Sequence, residues 1–148
     1  MESITVSGDL ESLDAISDYV ITAAEKANLG SKKTYKLRLA VDEIATNIVI
    51  HGYQEAEIKG DIVCRAEFSD TNLKIHIEDS GMQYDATQQQ QPDDLYKPLE
   101  ERHIGGLGIY LAINGVDKYI YERHGNINSN IFIVNRKNHF PLLYKERD

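Results

Sequence analysis

Positive charge is scarce in this chain: 16 Lys and Arg stand against 24 Asp and Glu, for a formal charge of −8. Without surplus cations to displace counterions, broad binding to a phosphate backbone is excluded, so no direct nucleic-acid contact is expected. A local basic pocket for one small polyphosphate stays open. Cysteine is nearly missing. Cys64 alone excludes a disulfide framework and a cysteine-only metal cage, and it fits a reducing compartment. None of the five histidines has metal-site spacing. No apolar run reaches the roughly 18 residues of a membrane helix, and Met1, Glu2 and Ser3 lack the pattern of a signal peptide. Internal repeats and linkers are absent as well. A cytoplasmic protein without membrane contact is expected.

What is present is globular. At 148 residues, 41% hydrophobic and 27% charged, one domain over residues 1–148 is the expectation. A chain of this size buries roughly 68–70% of its unfolded surface, enough for a core without staples.

Ile4 to Ser7 alternate as a short strand that Gly8 and Asp9 break. Leu13, Ile16, Val20, Ala23 and Ala27 then recur at helical spacing, with Asp9 as N-cap and Gly30 as the C-terminal stop. Ser31 caps a second expected helix, which runs to about His51 with Leu37, Val41, Ile44 and Ile48 on its core face; Gly52 ends it. Two strand-like runs follow, Gly60 to Ser69 and Leu73 to Glu78, joined at Asp70, Thr71 and Asn72. From Asp79 to about Ile104 no period is visible, and so long an aperiodic stretch inside a compact domain usually serves function. Beyond it lie a short helix from Ile109 to about Asn114 and two strands, about Asp117 to Arg123 and Ile127 to Asn135, around a His124-Gly125-Asn126 turn. This order predicts an α+β fold: a two-layer sandwich with a mixed, mostly antiparallel sheet and helices on one face.

Three constellations could carry chemistry. Glu43 and Asn47 lie four apart on one face of the second helix, at the border of its core stripe. An Asn oxygen is a hard ligand suited to Mg²⁺, and a carboxylate one turn away could take a proton from a hydroxyl. Alone, the pair also reads as an ordinary solvated helix face. Asp79-Ser80-Gly81 ends a strand, where Asp and Gly could simply make a turn, or could accept an exocyclic amine and admit a ligand to the backbone. In His103-Ile104-Gly105-Gly106-Leu107-Gly108, glycines stand at the entrance to an apolar helix, which suits an anion site or a flexible connector. The spacing excludes a P-loop, and the preceding loop excludes a dinucleotide-binding fingerprint.

In this order the three resemble the nucleotide-binding boxes of the histidine-kinase-like ATPases, the superfamily of gyrase, heat-shock chaperones, sensor kinases and mismatch-repair proteins. Glu43 and Asn47 match the N box, Asp79 and Gly81 the first glycine box, Gly106 and Gly108 the second. Arg38-Leu39-Ala40-Val41-Asp42-Glu43, Asn47, His51-Gly52-Tyr53 and the run from Glu101 to Leu111 are similar to one branch, the anti-sigma-factor serine-protein kinases. The family often reads D-x-G-x-G in its first glycine box. Here Met82, Gln83, Tyr84 and Asp85 follow Gly81, so the conformation of that loop is not carried over.

The resemblance implies a sandwich that holds Mg-ATP under a mobile lid at about 86–104, and a kinase that phosphorylates a serine of a small anti-sigma-factor antagonist. Many members of the branch also sequester a sigma factor. By position, Asn47 would ligate Mg²⁺ and Glu43 would be the general base. Asp79 would read the adenine amine, with Gly81 beneath the base. Gly105, Gly106, Leu107 and Gly108 would offer backbone to the phosphates, and Arg102 would neutralise the terminal phosphate. No phosphoacceptor domain accompanies the chain, which argues against a sensor kinase, and His51 is expected to be packed and hydrogen-bonded. The alternative is an ATP-binding module that sequesters a protein partner without phosphoryl transfer. Homodimerisation stays open, through exposed Tyr or Leu on the first helix or through Phe140-Pro141-Leu142-Leu143.

Overall fold

The computed structural model describes residues 1–83 and 104–136, with 104–107 described as helical backbone only. The expected lid (apart from Ile104), Arg102 and the tail from Phe140 to Leu143 lie outside the described residues.

Strand β1 (Ile4–Ser7) leads into a 3₁₀ turn (Leu10–Ser12) and helix α1 (Leu13–Lys26). Asp9 does not cap α1: its side chain accepts from the hydroxyls of Ser7 and Ser12, at 2.9 and 3.4 Å, and the 3₁₀ turn intervenes. The expected core positions Ile16, Val20, Ala23 and Ala27 are all buried. Gly30 does not stop this helix either. Asn28 takes the left-handed conformation, φ 56°, while Leu29 N–H reaches back to Ala24 O and Asn28 N–H to Glu25 O. These two bonds close a Schellman motif, in which an Asn serves where Gly is commoner. Gly30, at φ 86°, instead begins helix α2 (Ser31–Asn47), and Ser31 is that helix's first residue rather than its cap.

Leu37, Val41, Ile44 and Ile48 are buried, as the spacing predicts. Gly52, however, does not end the helix. The chain continues as a π-helical segment (Ile48–Gln54), in which Glu55 N–H bonds Ile50 O at 2.8 Å. Such widened turns frequently mark functional sites.

Strands β2 (Asp61–Phe68), β3 (Asn72–Asp79), β4 (Lys118–His124) and β5 (Ile127–Asn135) complete a five-stranded sheet in the order β1-β2-β3-β5-β4. The expected mostly antiparallel sheet is found, and each pairing among the described strands is antiparallel. The β4–β5 turn needs its glycine, since Gly125 has φ +63°. The core lies between sheet and helices, where Ile62, Cys64, Leu73, Ile75, Ile77, Phe132 and Val134 join the buried residues of α1 and α2. Tyr19 is part of that core, and its hydroxyl accepts the Ala66 N–H at 3.0 Å. Leu13 packs partly buried against the same cluster, while Leu10, in the 3₁₀ turn, is exposed. Helix α3 (Ile104–Ile113) packs on α2 and starts five residues before the expected Ile109, so the glycines fall inside its first turns. No helix among the described residues is long and apolar enough to cross a membrane.

Candidate functional site

Helix geometry brings Glu43 and Asn47 together, and their bonding orients them. The Asn47 side-chain nitrogen donates to Glu43 O at 2.8 Å. A carbonyl can only accept, so the amide must present its nitrogen there, and Asn47 Oδ1 is left for other work. The Glu43 carboxylate makes no hydrogen bond or ion pair among the described residues. It lies against α3: a Cβ added at Gly108 would sit 2.9 Å from Glu43 Oε1. The absence of a side chain at Gly108 is what gives this carboxylate its room. Beside it, burial raises the Asp42 carboxyl above its ordinary range, opposed by Arg38 at 3.3 Å and reinforced by the charge of Glu43.

The corner after β3 is fastened to the π-helical segment. Met82 N–H donates to Gly52 O at 2.8 Å, and a Cβ at Gly81 would lie 2.6 Å from that same oxygen. The Tyr53 hydroxyl accepts the Ser80 N–H at 2.9 Å and donates to Asp61 O at 2.6 Å. Its ring leaves no space for side chains at Gly8 or Gly60, where an added Cβ would approach within 2.4 and 2.9 Å. The loop that lacks the family's second glycine is thus held by a tyrosine and by backbone contact. His51, the residue before Gly52, is hydrogen-bonded as expected, with Nδ1 2.8 Å from Glu55 Oε1, but half-exposed rather than packed.

Asp79 is only 4% exposed. Its Oδ1 accepts from Gly81 N–H at 2.8 Å and from the Asn128 amide at 3.0 Å, while Oδ2 has no hydrogen bond among the described residues. Burial pushes its carboxyl above the ordinary 3.8, and the bonds from Asn128 and Gly81, then the charge of Arg123, pull it back. Asn128 is the residue that reading the sequence missed. It lies opposite Asp79 in the β3–β5 register and is 2% exposed. Its oxygen accepts from Tyr121 at 2.6 Å and Arg123 at 2.7 Å, and its nitrogen also donates to Gly81 O at 3.1 Å. Asn130, two residues on, is equally buried and accepts from the Tyr119 hydroxyl. A signal was present: Asn128 and Asn130 continue the alternation of Phe132 and Val134, and two amides in core-facing register need a reason.

The structure therefore joins Glu43 with Asn47 and Gly108, and ties Asp79 and Gly81 to Gly52, Tyr53 and Asn128. Among the described residues no group of three His, Cys, Asp or Glu side chains could hold a metal. One Asn with phosphates is enough for Mg²⁺, which usually keeps waters and few protein ligands. Cys64 is inert, its thiol pushed up to about 12 by burial.

The family model described as "Histidine kinase-like ATPase domain" matches residues 6–131. Among curated proteins, the serine-protein kinase RsbW of Bacillus subtilis is 31% identical over 94 residues, which are 62% of this chain and 58% of that protein. The protein of the same name in Bacillus velezensis is 36% identical over the same shares. The chain thus spans under two thirds of the length of these relatives. Among solved structures, the Acinetobacter baumannii histidine kinase AdeS aligns over 93% of this chain and 69% of its own, with a TM-score of 0.50 and 16% identity, a likeness of fold alone. With 126 of its 148 residues inside the matched span, and with helices layered on an antiparallel sheet as observed, the chain belongs to the histidine kinase-like ATPase domain family.

Proposed function

We propose that this chain is a cytoplasmic protein-serine kinase that binds Mg-ATP and phosphorylates a small anti-sigma-factor antagonist, exchanging that partner for a sigma factor. The observation that carries the reading is the Glu43 carboxylate, which has no partner among the described residues and is kept clear by Gly108, one turn from the free oxygen of Asn47. A module that only holds nucleotide has no use for a base there. The names of the curated relatives support the same activity.

In this reading Asn47 Oδ1 would hold Mg²⁺, which would offset charge on the phosphates. Gly105, Gly106 and Leu107 lie in the first turn of α3, where backbone N–H groups without intrahelical acceptors favour anions, and Gly108 follows directly, bare of a side chain beside them. Asp79 Oδ2 takes the adenine amine, Gly81 lies under the base, and Arg102 offsets charge on the terminal phosphate. The serine oxygen forms its bond to the terminal phosphorus, the bond from that phosphorus to the ADP oxygen breaks, and Glu43 receives the serine proton.

The test separates the two residues of the helical pair. Glu43→Gln keeps shape and removes basicity, so transfer to a co-purified partner falls by roughly 10²–10⁴ while ATP affinity stays within a few-fold. Asn47→Ala weakens Mg²⁺-dependent ATP binding and loses transfer as a consequence. If the wild type transfers nothing while ATP still alters partner affinity, the kinase reading is wrong and the sequestering module takes its place.

A further inference from the structure

We propose that Asn128 is the positioning residue that makes the base pocket selective for an amine-bearing purine, an inference that rests on the reading of Asp79 given above. The argument is a count of donors and acceptors. An Asn side chain has two N–H donors and an oxygen with two lone pairs. In Asn128 all four are used: the oxygen accepts from Tyr121 and Arg123, and the nitrogen donates to Asp79 Oδ1 and Gly81 O. Because a guanidinium can only donate and a carboxylate can only accept, the oxygen must face Arg123 and the nitrogen Asp79, and the Tyr121 hydroxyl donates to the oxygen so placed. The amide cannot flip without leaving buried groups unpaired.

This lock determines what Asp79 offers. Oδ1 is occupied twice, by Asn128 and by Gly81 N–H, so Oδ2 alone stays available to a ligand. Without Asn128, Oδ1 would keep only the Gly81 N–H, and the carboxylate would be freer to rotate about its last bond. The same amide grips Gly81 O, so the acceptor and the backbone expected under the base are held by one side chain. Tyr121 and Arg123 reach it from β4, the edge strand, so selectivity would be set partly by residues that never meet the nucleotide.

The experiment compares ATP with purine riboside triphosphate, which lacks the exocyclic amine, by calorimetry on the full chain. In Asn128→Leu, ATP binding is expected to weaken about tenfold or more while the analogue stays within about threefold, since the Met82 N–H bond still holds the corner at Gly81 and the amine contact is what is lost. Arg123→Met, on the edge strand, shifts the ratio the same way by less, and gives the reading if Asn128→Leu does not fold. Equal losses for both nucleotides, or an unchanged ratio in the folded variants, overturn the inference and leave Asn128 a packing residue. If the wild type already binds both nucleotides equally, Asp79 does not read the amine, and the earlier assignment falls along with this one.

Discussion

Strands β3 and β5 each present two different surfaces to the same helical layer. At one end the buried residues are Leu73, Ile75, Phe132 and Val134; at the other they are Asp79, Asn128 and Asn130. Backbone pairing is continuous through both, so the change lies in side chains alone. The apolar end gains from removing hydrocarbon from water. The polar end must pair its buried groups, and most of them are met by bonds from Tyr119, Tyr121, Arg123 and Gly81. Among the described residues Asp79 Oδ2 and the Asn130 amide nitrogen make no hydrogen bond, and Asp79 Oδ2 is the acceptor to which a ligand's donor can add one.

Breaking the apolar end should cost most. Phe132 is fully buried, with its ring centroid 5.2 Å from that of Tyr119. Phe132→Ala should lose about 3–5 kcal/mol in urea denaturation, the usual cost of an aromatic cavity. A loss under about 1 kcal/mol would mean this end is not the stabilising one.

An intermediate effect is expected just beyond the polar end, where the chain leaves β3. Gly81→Ala would place a methyl 2.6 Å from Gly52 O, a backbone atom that cannot swing aside. It should cost about 1–3 kcal/mol. Its signature would be faster hydrogen exchange at the Met82 amide, whose bond to Gly52 O has to open. Unchanged exchange there would show that the corner has room to spare.

The smallest effect should have the opposite sign. Burial holds the Asp79 carboxyl above its ordinary value. The folded state therefore binds that proton more tightly than the unfolded chain, and stability falls as pH rises from 3.8 through the raised value. Asp79→Asn removes this loss. The variant should melt slightly above wild type at neutral pH, with the difference vanishing below about pH 4, while ATP binding is impaired. A variant less stable than wild type at every pH would show that the charge is compensated without ligand.

Local patterns were legible where local physics decides. The buried faces of α1 and α2 followed from apolar spacing, and strand β5 from its alternation between Ile127 and Asn135. The residues proposed for the site, Glu43, Asn47, Asp79 and the glycines, stand in characteristic short runs that point to one family. Glycines misled as punctuation. Gly30 and Gly52 look like helix stops, yet Asn28 ends α1 and the chain stays helical through Gly52. A glycine says that side-chain volume is unwelcome, not which neighbour excludes it, and at Gly81 and Gly108 that neighbour comes from another element.

By itself the sequence determined the sandwich, because the period of apolar residues decides helix or strand within a few turns. It also determined the chemistry on offer, a carboxylate and an amide one turn apart and an acid before a glycine. Only the tertiary structure decided which atoms of those groups are committed and which remain open. Asn128 lies 49 residues from Asp79, and antiparallel register alone brings them within 3.0 Å. No local pattern records such a bond. It exists because strands distant in sequence are neighbours in the sheet, and because a buried donor must find its acceptor wherever the fold places it.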